Sequence, residues 1–108
     1  MLKAVMKVKF YKKREAMLKN WTGYHALIVF RPAFNLGGYL SSGEIHPTDD
    51  TDVYLFGREY TVLVYFRLIF SEEVYQIVRP SLEIGREYSI QLGGEVIGEA
   101  QLIQYGYE

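Results

Sequence analysis

Hydrophobic and polar residues alternate from the first positions of the chain. In MLKAVMKVKF, Ala4, Met6, Val8 and Phe10 fall on one face and Lys3, Lys7 and Lys9 on the other. Period two predicts a half-buried β-strand, with Val5 breaching the lysine face. The charged stretch YKKREAMLKN has no alternation and reads as a solvated loop or a helical turn. In YHALIVFR a continuous apolar run predicts a strand covered on both faces, ended by Pro32, which cannot donate to a ladder. NLGGYLSSGEI carries the glycine and serine punctuation of a turn, a short strand and a second turn, and HPTDDTD reads as an acidic loop.

The longest strand pattern is YTVLVYFRLIF, where Tyr60, Val62, Val64, Phe66, Leu68 and Phe70 share a face. Leu63, Tyr65 and Ile69 make the other face partly apolar, and so long a run is expected to bend or bulge as barrel strands do. SEEVYQIV leaves two readings open. Ser71 could cap a helical turn with Glu72 and Glu73 in its first turn and Pro80 as a stop, or the segment is an irregular loop. In REYSIQLGGEVIGEAQLI, Tyr88, Ile90 and Leu92 alternate with Glu87, Ser89 and Gln91. After Gly93-Gly94, Val96, Ala100 and Leu102 alternate with Glu95, Glu99 and Gln101, predicting a β-hairpin. Short strands separated by turns, with no strand–helix–strand rhythm, predict an all-β antiparallel barrel or sandwich rather than a parallel α/β sheet.

Composition narrows the classes of function. A chain of 108 residues predicts one domain, residues 1–108, with a core of its own. With 49% hydrophobic and 23% charged residues it is globular rather than disordered, and ten tyrosines favour sheet. The absence of cysteine excludes disulfides, thiolate zinc sites and thiol nucleophiles, and fits a reducing compartment such as the cytoplasm. The N-terminus lacks the apolar core of a secretory signal, and no apolar run reaches membrane-spanning length. A net charge of −1 disfavours broad electrostatic capture of nucleic acid.

Few residues look chemically poised. His46, Asp49, Asp50 and Asp52 lack the spaced acids and central glycine of a calcium loop and read as solvated. Neither His25 nor His46 sits in a metal or triad spacing, and Glu72-Glu73 reads as a solvated pair. No catalytic, cofactor or metal site is therefore expected. The basic cluster Lys9, Lys12, Lys13 and Arg14, interleaved with Phe10 and Tyr11, has the composition of a single-strand nucleic-acid platform or of a lysine-guarded edge strand; the edge-strand reading is preferred. Tyrosines such as Tyr54, Tyr60, Tyr65, Tyr75, Tyr105 and Tyr107 could form a protein-binding face or fill the barrel.

Three segments in register resemble the C-terminal, third domain of elongation factor Tu. GYHALIVFR is similar to that family's GYRPQFYFR strand through Gly23, Tyr24, Phe30 and Arg31. GREYTVLVYF is similar to the strand after its Pro-Gly-Asp turn, here altered to Phe56-Gly57. LEIGREYSIQLGGEVIGEA resembles its closing GLRFAIREGGRTVGAG hairpin through Gly85, Arg86, Tyr88, Ile90, Gly93, Gly94, Val96 and Gly98. The resemblance spans nearly the whole chain and implies a small closed antiparallel barrel of about six strands. No G-x-x-x-x-G-K-[ST] loop is present, so neither nucleotide binding nor GTPase activity is expected. In the family this domain holds aminoacyl-tRNA and contacts protein partners. Here Leu27 replaces a polar Gln, PAFNLGG replaces TTDVTGT with Leu36 in place of a Thr, and Glu95 replaces a basic residue. An acid placed near phosphate opposes binding.

These readings lead to one expectation: a non-enzymatic, cytoplasmic, protein-binding module, regulatory or toxin-neutralising, with a homodimer among its options. The alternative is an RNA-binding accessory of translation directed to tRNA or the ribosome. Candidate partner contacts are Lys9, Tyr11, Lys12, Lys13, Arg14, Tyr24, Arg31, Tyr105 and Tyr107.

Overall fold

The computed structural model describes residues 1–12, 22–25 and 31–108. In chain order its strands are β1 (Leu2–Phe10), β2 (Gly23–His25), β3 (Ala33–Leu36), β4 (Tyr39–Ser42), β5 (Glu44–Pro47), β6 (Val53–Leu55) and β7 (Glu59–Phe66). Helix α1 (Glu72–Val78) and a 3-10 turn (Arg79–Ser81) follow, then β8 (Glu87–Leu92) and β9 (Glu95–Tyr107). Seven strands form one antiparallel sheet in the order β4-β3-β8-β9-β1-β7-β5, and β2 pairs with β6 separately. The described residues thus contain nine strands, more than the six expected, because β3, β4, β5 and β6 are pieces of three or four residues.

The topology makes the sheet curl. β4 and β5 are its two edges, yet only Gly43 separates them in the chain. Flat, seven strands would hold their edges roughly 29 Å apart at the usual strand spacing. Two residues' worth of chain reaches only about 7 Å. The sheet therefore rolls until its edges meet at Gly43, whose N–H donates to the Pro32 carbonyl at 2.9 Å. The all-β, antiparallel, barrel-like expectation is borne out.

β1 lies inside the rolled sheet, between β9 and β7. Ala4, Met6, Val8 and Phe10 are buried, as the alternation predicts; with Leu2, also buried, they meet Phe34, Val62, Val64, Phe66, Ile90, Ala100 and Leu102 in one core. Phe34 and Phe66 contact edge to face, with centroids 5.3 Å apart. The two Gly-Gly hairpins, β3–β4 and β8–β9, place both central residues at positive φ (68° and 101°; 59° and 82°), which side chains resist.

Two expectations are corrected. The strand predicted to run to Phe70 stops at Phe66, where a turn at Arg67-Leu68 is closed by the Ile69 N–H donating to the Phe66 carbonyl. The turn inverts the alternation, so Ile69 is buried while Leu68 and Phe70 face solvent. In the closing hairpin a bulge between Ile90 and Gln91, opposite Ile97, shifts the parity: Ile97 enters the core, and Val96 and Leu92 are exposed. The open segment at 71–80 is helical, with the Ser71 side chain accepting from the Val74 N–H at 3.2 Å. The α-helix ends at Val78, ahead of Pro80 as expected, and Pro80 lies in the 3-10 turn that follows. The predicted YHALIVFR strand is described only over Tyr24 and His25, which pair with Tyr54 and Val53, and at Arg31; Leu27 and Phe30 lie outside the described residues. Among the described residues, no helix is long and apolar enough to cross a membrane.

Candidate functional site

The candidate contacts read from the sequence do not form one surface. Lys9, Tyr11 and Lys12 sit at the end of β1, while Lys13 and Arg14 lie outside the described residues. Lys9 is flanked across the ladder by Glu59 on β7 and Glu99 on β9, so acids border this end of the basic cluster. The Tyr11 hydroxyl is held up from its usual pKa by burial, then by the charge of Glu99 and a hydrogen bond to it. Tyr105 and Tyr107 sit opposite Ala4 and Leu2, at the other end of β1 and about 25 Å away at strand rise. Tyr107 stacks on Tyr75 (4.4 Å, 12°) and donates to the Phe70 carbonyl at 2.5 Å, tying β9 to the segment that leads into α1. Tyr24 packs edge-on against Phe10 and Phe56, with centroids at 5.3 and 5.4 Å.

Arg31 belongs to a different constellation. β5 pairs with β7 so that Glu44 stands opposite Tyr65, and β1 pairs with β7 so that Lys3 also stands opposite Tyr65. Cross-strand partners point to one side, so Lys3, Tyr65 and Glu44 make a row on the outside of the barrel. His46, two residues along β5, shares that side, while Ile45 between them turns into the core. The turn after β7 then brings Arg67 back over Glu44.

Both carboxylate oxygens of Glu44 are engaged. Oε2 accepts from Arg67 Nε at 2.7 Å and lies 3.1 Å from Arg31 Nη2. Oε1 accepts from Arg67 Nη2 at 3.2 Å and meets His46 Nε2 at 2.8 Å. An ionised carboxylate only accepts, so His46 carries its hydrogen on Nε2. The Arg67 hydrogen bond, then that of His46 and the charges of Arg67 and Arg31, outweigh desolvation and hold the Glu44 carboxyl down at about 2. Glu44 is only 13% exposed, whereas Arg31 and Arg67 are each 54% exposed. Arg67 and Lys3 both stand over the Tyr65 ring, at 5.6 and 5.4 Å, and His46 lies against it at 4.5 Å. Arg31, Ser42, Glu44, Tyr65, Arg67 and Leu68 line an open groove of about 180 Å³.

Beside the groove, the turn after β7 holds two large apolar side chains in water: Leu68 is 61% exposed and Phe70 69%. The turn is anchored all the same. Ile69 is fully buried, its carbonyl accepts from the Leu2 N–H at 3.0 Å, and the Phe70 carbonyl accepts from Tyr107.

Reasoning from sequence singled out Arg31 but missed Glu44, Arg67 and Leu68. Glu44 and Arg67 lie 23 residues apart, and only the β5–β7 register brings them together. The acidic loop reads differently in space too. His46 lies on β5 rather than in the loop, and the Asp49 carboxylate accepts from the backbone N–H and hydroxyl of Thr51, which lowers its pKa. Among the described residues, no group of three or more His, Cys, Asp or Glu side chains could hold a metal ion. No protein-family model matches the chain, and no curated protein matches it.

Proposed function

We propose that this chain is a non-enzymatic binding module, built like the third barrel of elongation factor Tu, whose partner is a protein. The observation that carries the reading is the anchored turn that holds Leu68 and Phe70 outward beside two half-exposed arginines. Binding energy at protein interfaces concentrates in rigid aromatic, apolar and arginine side chains, because little ordering entropy is lost when they are covered. Covering Leu68 and Phe70 is worth about 2 kcal/mol each. Such a module acts by occupying a partner's surface, as an accessory, a regulator or a neutraliser of a toxin. A chain without cysteine suits the cytoplasm. RNA is the weaker partner: the net charge is −1, Lys9 is bordered by Glu59 and Glu99, and Glu95 follows the closing hairpin's glycines.

Two measurements test this. Protein captured from the native host by the purified chain should be lost with the Leu68→Asp, Phe70→Asp double variant, roughly a thousand-fold in affinity. Sedimentation of the isolated chain shows whether that protein is a second copy. Binding to tRNA and single-stranded RNA should be absent at low and at near-physiological salt. Salt-sensitive RNA binding that weakens when Lys12, Lys13 and Arg14 become alanine would overturn the reading.

A further inference from the structure

The groove between β5 and the turn after β7 has an excess of hydrogen-bond donors. Each guanidinium carries five N–H groups. Arg67 directs Nε and Nη2 at Glu44, and Arg31 approaches it through Nη2 alone. Glu44 in turn meets a donor nitrogen twice at each oxygen, so it has no lone pair left for a guest. The acid does not cancel the site. It orders two arginines that are half in solvent and leaves the local charge positive. A cation would find the carboxylate already engaged; an anion would find several oriented donors. Guanidinium forks match planar carboxylates in two parallel hydrogen bonds. Ser42, the Tyr65 ring and Leu68 complete the lining. A volume of about 180 Å³ has room for a side chain of glutamate size.

We propose that the Arg31–Arg67 groove receives an aspartate or glutamate side chain of the partner protein, with an apolar neighbour of that acid covering Leu68. Glu44 is the positioning residue, and Arg31 and Arg67 are the contacts. The acidic side chain enters as a carboxylate, no bond is made or broken, and the complex is a charge-assisted pair shielded by Tyr65 and Leu68. The proposal rests on the reading of the chain as a protein-binding module and names the chemistry of the segment bound.

The test is a nuclear magnetic resonance titration of the whole chain with two blocked tripeptides, leucyl-glutamyl-leucine and its isosteric glutamine form, and with a short oligouridylate. The glutamate peptide should move the Arg67 Nε–H and the amides of residues 65–68 saturably, at about millimolar affinity. The glutamine peptide should bind at least about tenfold more weakly, because it offers no charge to the forks. Arg67→Gln and Arg31→Gln should each weaken the glutamate peptide by about tenfold, with resonances elsewhere unchanged. Arg31→Gln removes only one contact to Glu44, so it keeps the test valid if Arg67→Gln disturbs the turn. Equal responses to the two peptides, shifts that avoid residues 65–68, or no response overturn the proposal. So does oligouridylate binding at these residues more tightly than the peptide. Silence toward the peptides without RNA binding removes this proposal alone, whereas RNA binding removes the protein-binding reading as well.

Discussion

Replacing Gly43 by alanine tests whether the barrel is closed where the chain passes from β4 to β5. An ideal Cβ there would stand 2.6 and 2.7 Å from two ring carbons of Phe34 and 2.7 Å from Val64 Cγ1. Carbon atoms in contact sit at about 3.5–4.0 Å, so each neighbour must give by roughly 1 Å. Neither can do so freely. Phe34 and Val64 are fully buried, and Phe34 is wedged edge-on against Phe66. The φ of Gly43 lies outside the left-handed region, so the cost is steric and not conformational. Overpacking a core by one methyl costs about 1–3 kcal/mol. For a chain of this length that lowers Tm by roughly 5–20 °C. Gly106→Ala is the matched control: its Cβ meets nothing within 4 Å, so alanine should be neutral or stabilising by up to about 1 kcal/mol. Thermal and urea unfolding followed by circular dichroism measure both, with the urea slope expected unchanged. Val64→Ala in the Gly43→Ala background should couple favourably by about 0.5–3 kcal/mol, since it removes one collision partner. If Gly43→Ala unfolds with the wild type or with Gly106→Ala, the seam is not packed as described.

Four further outcomes follow from particular side chains. Ser71→Ala should cost about 1 kcal/mol in urea unfolding, because the Val74 N–H loses its cap. Tyr88→Phe should cost about 1–3 kcal/mol, since the hydroxyl donates to the Ser81 carbonyl and accepts from the Glu83 N–H. Tyr54→Phe should fall within about 0.5 kcal/mol of wild type, because the buried Tyr54 hydroxyl has no partner among the described residues. The Glu44 carboxyl is held down at about 2 when folded, against 4.5 ordinarily, so its stabilisation is complete above pH 4.5 and is lost as the pH falls toward 2. Glu44→Gln should flatten the stability profile over that window, and a variant profile parallel to the wild type would contradict the cluster's geometry.

What could be read before the fold was known is local. The alternation of β1 placed Ala4, Met6, Val8 and Phe10 in the core, because successive side chains on a strand face opposite ways wherever it pairs. The Gly-Gly pair marked the β8–β9 hairpin, because two consecutive positive φ values need glycine. Ser71 marked one of two readings, and the cap geometry decided for the helix. Alternation misled at Arg67-Leu68 and at Ile97 for one reason: a single inserted or turned residue inverts every face after it, and the residue types on both sides of the inversion are equally apolar. Sequence also placed candidate contacts at both ends of β1, since it cannot tell how far apart two tyrosines and a basic cluster lie in a sheet.

The sequence by itself determined that this chain is an antiparallel all-β protein with a real core and no thiol chemistry. Period two, turn glycines and the absence of cysteine are properties of short stretches, legible without any partner. Only the tertiary structure decided that the sheet curls until its edges converge at Gly43, that Leu68 and Phe70 face water, and that Arg31, Glu44 and Arg67 share one groove. Those outcomes depend on which strand lies beside which and in what register. Register is set by the summed burial of all the strands at once, so no single segment carries it.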